Sequence, residues 1–354
     1  MEYLAVYLIY FALELFLCYF ASKSKSKIWI FLSFIFPIFF IGLRYNVGTD
    51  YKNYSKIFDI IKSIDNIKDL LDFNWEIGAK LLFKIVSLLF DDNKIIFVFI
   101  ALLTIYPIYR CNKMFNYKYL VLSMLIFNTI YMPFCMNGMR QGIAMSCILY
   151  SIVLAINEKK IKSILWLLIA ISFHSSAFIV APYLLVNFLD KSNNKNKSSK
   201  YTIYLTIIMS IIVLIFLKDL INNAFFSSYS FYIKNINTNS ISFSSIIISL
   251  PTIIIVFLMK SKDKYINTFS VLLISGIIFK VVGTSAQYLN RISLYFTFFE
   301  ILLIPYLIQK IEKKQTKFIV LLMYALYLIA YFIFQYYILD RNEIFPYRTW
   351  ILQM

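Results

Sequence analysis

Residues 141–176 read QGIAMSCILYSIVLAINEKKIKSILWLLIAISFHSS. The apolar run 141–156 suits a helix that crosses a bilayer with little tilt. A basic turn at 157–162 separates it from a second apolar run that reaches only to His174. Similar runs recur along the 354 residues, of which 61% are hydrophobic and 15% charged. The sequence therefore predicts an all-α polytopic integral membrane protein with a single transmembrane domain over 1–354.

The first apolar run predicts a retained membrane span. Glu2 precedes it and Lys23, Lys25 and Lys27 follow it, which is the reverse of the charge order in a signal peptide. The apolar runs of spanning length lie at 3–20, 28–42, 95–109, 119–135, 141–156, 201–217, 244–259, 265–280, 292–309 and 317–339.

The charge of the connections predicts the orientation. Six connections are basic and together hold 20 of the 35 Lys and Arg residues: 23–27, 110–118, 157–162, 190–200, 260–264 and 310–317. Because Lys and Arg stay on the cytoplasmic side, we expect all six inside, with both termini outside.

This orientation predicts that residues 163–189 enter the membrane and return. Both flanking connections are inside, and 27 residues are too few for two full spans. We therefore expect a pair of short helices whose tip lies near His174-Ser175-Ser176, within a total of about 12 membrane passes.

A large outer loop is predicted at 43–94. The apolar segment near 76–90 cannot be a simple span, because both of its flanks must be outside. Lys80 and Lys84 share one helix face, which suits a helix lying in the outer interface. Long loops in compact proteins are usually functional.

Composition excludes two classes of partner. The chain has one histidine and four cysteines (Cys18, Cys111, Cys135 and Cys147) without metal-ligand spacing, which argues against a zinc site. The net charge of +17 arises from short loops between apolar runs. It therefore indicates membrane orientation and not nucleic-acid binding.

The arginines point to a phosphate-bearing substrate. The chain has only six arginines and 29 lysines. Five of the arginines are nevertheless predicted on the outer side of the membrane: Arg44, Arg140, Arg291, Arg341 and Arg348. A guanidinium offers a rigid donor fork for phosphate and stays charged at physiological pH. The structural alternative is interfacial snorkelling, or pairing with Asp50 or Glu76.

Other polar residues extend this candidate site. The near-neutral pKa of a histidine suits His174 for removing a proton from a sugar hydroxyl, although it could instead cap a helix break. After the Gly48-Thr49 turn, Asp50, Tyr51 and Tyr54 could bind sugar hydroxyls or serve structure, and the same holds for Glu76. Glu14 and Glu300 lie inside predicted spans. We interpret them as residues that form hydrogen bonds inside the helix bundle and not as part of a proton-transport path.

Seven short motifs in a fixed order resemble the EpsG-like branch of the Wzy-type polysaccharide polymerases over nearly the whole chain. They are Gly42-Leu43-Arg44, Gly48-Thr49-Asp50-Tyr51 with Tyr54, Trp75-Glu76-Ile77-Gly78, Asn137-Gly138-Met139-Arg140-Gln141-Gly142-Ile143-Ala144, Phe173-His174-Ser175-Ser176-Ala177, Asn290-Arg291 and Pro346-Tyr347-Arg348. Each motif alone is only weakly specific for this family. The order of the motifs and their common predicted placement on the outer side are more specific.

The resemblance implies a metal-independent glycosyltransferase, without a cofactor, in a bacterial plasma membrane. Such an enzyme moves a growing glycan from undecaprenyl pyrophosphate to the non-reducing end of a lipid-linked repeat unit. Arg44, Arg140 and Arg291 would hold the pyrophosphate, and His174 or Asp50 would activate the acceptor. The remaining implied substrate contacts are Tyr51, Tyr54, Glu76, Gln141, Asn290, Arg341 and Arg348. The implied partners are lipid-linked oligosaccharides, the bilayer and a chain-length regulator protein.

Other functions stay open at this point. A glycan ligase or a polyprenyl-phosphate-sugar glycosyltransferase would use related substrates. A flippase for lipid-linked oligosaccharide is the main non-enzymatic alternative, although no inverted repeat is visible in the sequence. A membrane acyltransferase built around His174 is a further alternative.

Overall fold

The computed structural model describes residues 2–189, 243–258, 263–282 and 287–351. Within these ranges every regular element is helical, and the extended pairing there is limited to an antiparallel bridge between Arg44 and Thr349. The predicted all-α class is therefore confirmed. The predicted span 201–217 and the connection 190–200 lie outside the described residues, as does nearly all of the outer loop at 218–243.

The apolar helices identify a membrane protein. In the described ranges, the helices long and apolar enough to cross a membrane are Tyr3–Ser24, Ile95–Met114, Met139–Ile156, Lys264–Val281, Leu289–Gln309 and Lys314–Ile338. Shorter apolar helices occupy Lys27–Gly42, Leu120–Cys135, Ser175–Leu185 and Ile247–Phe257. Ser175–Leu185 lies in the predicted short pair at 163–189, and the other segments coincide with predicted apolar runs. The total of about 12 passes stays a prediction.

The chain divides into two compact units, which are described separately. The first unit comprises Met1–Tyr150, Leu168–Ser175 and Gln315–Met354. Its helices are α1 (Glu2–Ser24), α2 (Lys27–Gly42), α3 (Tyr51–Lys62), α4 (Ile67–Asp72), α5 (Ile77–Leu89), α6 (Ile95–Met114), α7 (Leu120–Ile126), α8 (Met132–Cys135) and most of α9 (Met139–Ile156). A π-helical turn, Phe127–Tyr131, joins α7 to α8. The end of α10 (Lys160–Phe173) also belongs here.

The second unit comprises Ser151–Leu167 and Ser176–Lys314. Beyond the start of α10, its helices are α11 (Ala181–Leu189), α12 (Phe243–Leu258), α13 (Lys264–Val282), α14 (Gln287–Thr297) and α15 (Glu300–Gln309). Lys310 Nζ lies 2.8 Å from Asp263 Oδ2, to which Tyr306 also donates. The last long helix, α16 (Lys314–Phe332), leads into the C-terminal tail, whose described residues belong to the first unit.

The short helix pair predicted at 163–189 is present as α10 and α11. A 3-10 turn at Ser175–Val180 follows the break at His174, where the tip was predicted. Lys160 Nζ donates to the carbonyl oxygen of Phe188 over 3.4 Å, so the start of α10 meets the end of α11. The chain therefore turns back on itself over these residues, and its entry into the membrane from the inner side stays a prediction.

The intramembrane acids face the protein interior. Glu14 is fully buried and accepts hydrogen bonds from Cys18 and Tyr109. Glu300 accepts one from Thr252. Both contacts confirm the predicted hydrogen-bonding role, because an acid inside a membrane span needs a polar partner.

Residues 43–94, predicted to form an outer loop, fold into three helices, of which only α5 was predicted. One face of α5 is buried, and the opposite face exposes large apolar side chains at Ile77, Leu81, Ile85 and Leu88. This exposed stripe suits the predicted position at the membrane interface. Helices α3 and α4 pack against the buried face.

Lys80 and Lys84 lie on the buried side of α5 and cap its neighbours. Lys80 Nζ donates to the carbonyl oxygens of Leu71 (2.6 Å) and Phe73 (3.0 Å), at the end of α4. Lys84 Nζ donates to the carbonyl of Ile64 over 2.6 Å, just beyond α3. Cations favour the negative end of a helix and its unpaired carbonyls. The lysines were predicted to face the membrane interface, but they instead hold α3 and α4 against α5.

Replacing Lys80 by Met tests this capping. Methionine keeps an unbranched apolar side chain but removes the ammonium group, leaving the carbonyls of Leu71 and Phe73 without these hydrogen bonds. We expect a loss of about 1–3 kcal/mol in the free energy of unfolding, measured as a lower midpoint of thermal unfolding in detergent. Lys52→Met, at an exposed position of α3, is the control and should unfold as the wild type does. Equal midpoints for both variants would contradict the capping role.

Candidate active site

The carboxylate of Glu76 joins three distant segments of the chain. Its Oε2 pairs with Nη1 of Arg140, at the start of α9. Its Oε1 lies 3.0 Å from Nδ1 of His174 and accepts a hydrogen bond from the backbone N–H of Ser175 over 3.3 Å. Carboxylate, imidazole and guanidinium thus form one hydrogen-bonded cluster.

Local structure places Glu76 at this position. Glu76 is the residue before α5, where the unpaired N–H groups of a first helical turn favour a negative charge. Gly78 permits α5 to approach the end of α10, since a Cβ atom there would lie 2.8 Å from the carbonyl oxygen of Ser172. This close approach brings His174, just beyond α10, within reach of the carboxylate.

Arg140 lies between an aromatic ring and the carboxylate. Its guanidinium carbon is 4.4 Å from the ring centroid of Trp75, which is a cation–π contact. The hydroxyl of Tyr54, on α3, hydrogen-bonds Arg140. Burial raises the pKa of Tyr54, whereas the charge and hydrogen bonds of Arg140 act in the opposite direction. Arg140 is therefore fixed in direction while its side chain stays 26% exposed.

The charge of Glu76 defines the tautomer of His174. Burial raises the pKa of Glu76, but the hydrogen bond from His174 and the charge of Arg140 outweigh it and lower the pKa to about 2. The carboxylate is thus ionised at neutral pH and favours a proton on Nδ1 of His174. In the neutral ring this leaves the lone pair on Nε2, the form that a general base requires.

Asn137 brings two of the sequence motifs together. Its Oδ1 accepts hydrogen bonds from the Thr49 hydroxyl (3.2 Å) and the Asp50 backbone N–H (3.4 Å), and its Nδ2 donates to the carbonyl of Asn342. Gly48 has φ +96 and lies against the Asn137 side chain, where a Cβ would clash. Asp50 is therefore held at Asn137, which lies three residues before Arg140 in the sequence.

Arg44 makes contacts that differ from the predicted pyrophosphate contact. It is fully buried. Its guanidinium donates to the carbonyl oxygens of Ile41, Val47 and Met136, and its carbon lies 4.9 Å from the ring centroid of Phe97. Burial lowers its pKa to about 10, which leaves it charged at neutral pH. These contacts favour a role in holding the loop.

The C-terminal tail pairs with the same loop. Tyr45 N–H donates to the Arg348 carbonyl over 2.8 Å, and Trp350 N–H donates to the Leu43 carbonyl over 3.2 Å. Gly48 N–H donates to the Glu343 carbonyl over 2.9 Å. The side chains of Arg341 and Arg348 are exposed. The tail thus closes over the loop while presenting two arginines.

The other predicted residues have varied surroundings. Tyr51 is buried and stacks on Phe97 with ring centroids 4.2 Å apart. Gln141 is also buried. Asn290 and Arg291 are exposed on α14, in the second unit. The structure therefore joins Glu76, Arg140, His174 and Tyr54, while Arg44 and Tyr51 lie in the packed interior of the first unit.

Trp75 and Asn137 are contributors to which sequence reasoning gave no role. Both stood inside motifs, next to residues that were assigned one. In the sequence, Trp75 stands beside an acid and Asn137 stands before a glycine. Neither neighbour indicates which residue the side chain contacts in the fold. In the described part of the chain, no group of three or more His, Cys, Asp or Glu side chains could hold a metal ion.

Variants of Arg44 test its structural role. Arg44→Gln removes a buried charge together with its donors, so three backbone carbonyls lose hydrogen bonds. We expect a loss of about 3 kcal/mol or more in unfolding free energy, seen as a sharply lower thermal midpoint in detergent. Arg348→Gln, at an exposed position, is the control and should leave the midpoint unchanged. A normally stable Arg44→Gln protein that no longer binds a diphosphate would instead support the predicted substrate contact.

Comparison with known proteins supplies the family. No curated protein matches the chain, and no solved structure matches it either. Residues 27–349 match the EpsG family, so the match includes the outer loop, Glu76, Arg140, His174 and the paired tail. Because this match covers most of the 354 residues, the chain belongs to the EpsG family.

Proposed function

We propose that this protein is a polysaccharide polymerase, a glycosyltransferase that acts at the outer face of a bacterial plasma membrane. It transfers a growing glycan from undecaprenyl pyrophosphate to the non-reducing end of a lipid-linked repeat unit, without a metal ion or cofactor. Membership of the EpsG family supports this class of function. The observation that carries the proposal is the cluster of Glu76, His174 and Arg140, which combines a base with a site for a phosphate group.

His174 takes the role of general base. The acceptor hydroxyl attacks the anomeric carbon of the donor sugar, and its proton passes to Nε2 of His174. The bond between that carbon and the pyrophosphate oxygen breaks, and its electron pair leaves with the pyrophosphate. Glu76 stabilises the imidazolium that forms, since its ionised carboxylate lies 3.0 Å from Nδ1. Asp50 is the alternative base.

Arg140 takes the role of binding the pyrophosphate of the donor substrate. A guanidinium binds phosphate oxygens with two parallel hydrogen bonds and stabilises the negative charge that develops on the leaving group. The stacking on Trp75 fixes the plane of the guanidinium without using its N–H donors. Arg291, Arg341 and Arg348 are exposed cations that we propose as further contacts to the pyrophosphate or glycan, together with Asn290, which precedes Arg291 in the sequence.

Residues near the cluster could bind sugars. The ring of Trp75 and the hydroxyl of Tyr54 border Arg140, and aromatic rings with hydroxyl groups suit carbohydrate surfaces. The exposed apolar stripe of α5 begins at Ile77, directly after Glu76. A charged cluster beside an apolar stripe fits a substrate with a charged head and a hydrocarbon tail.

Polymerisation of a purified lipid-linked repeat unit in liposomes tests the proposal. With EDTA present, wild-type protein should convert single units into a ladder of longer glycans. His174→Ala should lower the rate by about 10²–10⁴-fold, as expected for loss of a general base. Arg140→Ala should lower it by at least about 10²-fold, because the leaving group loses its cation.

Arg110→Ala is the matched control for charge removal, since this arginine lies in a connection predicted on the inner side; its ladder should match that of the wild type. A wild-type protein that leaves the substrate as single units would overturn the polymerase proposal. Movement of those units across the bilayer in the same liposomes would then favour a flippase. Transfer of whole glycan to a different acceptor would favour a ligase.

A further inference from the structure

We propose that Glu76 couples binding of the donor diphosphate to the proton affinity of His174. In this proposal a diphosphate draws the Arg140 guanidinium away from Glu76, so that the whole carboxylate charge acts on the imidazole. The proposal rests on the function proposed above, in which Arg140 binds the donor and His174 is the base. It adds that Glu76 is a positioning residue that makes the base stronger when the leaving group is in place.

The division of the carboxylate between its partners is the basis of this proposal. Oε2 serves Arg140, whereas Oε1 serves His174 and the Ser175 N–H. Loss of the bond to Arg140 would therefore leave the two bonds of Oε1 in place. A ligand can change the electrostatics of the cluster in this way without dismantling it.

Exposure decides which partner a ligand can reach. The side chain of Arg140 is 26% exposed, that of Glu76 is 18% exposed and that of His174 is 10% exposed. The cation is thus the most accessible member of the cluster. Its ring contact with Trp75 and its hydrogen bond with Tyr54 would keep the guanidinium nearby as it turned towards a diphosphate.

In the described part of the first unit, four segments contribute groups to the cluster. Glu76 precedes α5, Arg140 begins α9, Tyr54 lies on α3, and the Ser175 N–H follows α10. Arg140 carries a permanent positive charge, whereas the imidazole of His174 can gain or lose a proton. One ionised carboxylate therefore divides its attraction between a fixed cation and a titratable ring.

The sign of the coupling follows from these charges. A diphosphate carries more negative charge than a carboxylate and competes for the same guanidinium fork. When Arg140 turns to it, the positive charge opposing protonation of His174 is neutralised and Glu76 stabilises the imidazolium more strongly. The pKa of His174 then rises, and an opposite charge at this range shifts a pKa by roughly one unit or more.

The single histidine of the chain allows a direct test. Protein labelled with isotopic histidine is reconstituted in nanodiscs, and the imidazole signal is followed by NMR across pH with and without methylenediphosphonate. In wild-type protein we expect the diphosphonate to raise the pKa of His174 by about one unit. In Glu76→Gln protein, which keeps the direct effect of the ligand charge and the neutralisation of Arg140 but lacks the carboxylate, we expect a smaller rise than in the wild type.

Arg140→Ala gives an independent arm. Without the guanidinium, the pKa of His174 should already be raised in the absence of ligand, and diphosphonate should add little. Binding is measured separately by the phosphorus NMR signal of the diphosphonate. Binding to the wild type with equal pKa rises in wild-type and Glu76→Gln proteins would overturn the coupling alone. An absence of binding, or binding that Arg140→Ala does not weaken, would overturn the proposed donor site and the coupling with it.

Discussion

A largely buried, ionised carboxylate needs partners, and Glu76 finds them at points 64, 98 and 99 residues further along the chain. The first turn of α5, the close approach at Gly78 and the break after α10 all serve this one meeting point. A buried charge without partners is costly, so the site is also a constraint on folding. Folding and the proposed chemistry therefore depend on the same carboxylate.

A second charged group, Arg44, organises the neighbouring backbone. Its donors hold carbonyls at Ile41, Val47 and Met136, while the tail pairs with the loop that Arg44 begins. Asn137 then attaches the Gly48-Thr49-Asp50 turn to the segment that carries Arg140. The two polar centres have different roles: Arg44 and Asn137 hold the backbone, whereas Glu76 orients the side chains of the proposed active site.

The features predictable from sequence were those with long-range physical regularity. Apolar length predicted the long helices, and the charge of the flanks predicted the pair of short helices α10 and α11. Pairing of an outer arginine with Glu76 was predicted as the structural alternative, and Arg140 makes this pair. The contact of Glu76 with His174 was not predicted, because nothing in the local pattern pairs an acid at 76 with a histidine at 174. Arg44 was assigned to the substrate because no sequence pattern distinguishes an arginine that donates to backbone carbonyls from one that binds a phosphate. Lys80 and Lys84 showed a shared face, but periodicity does not say whether that face meets lipid or protein.

The measurement closest to the central claim is a double-mutant cycle of polymerisation rates for Glu76→Gln and His174→Gln. If Glu76 acts through the imidazole, each single variant loses much of the activity and the double variant stays within about threefold of His174→Gln, since the carboxylate has no base left to orient. Losses that multiply in the double variant would show that Glu76 and His174 act independently. That result would contradict the account of the cluster as a single unit.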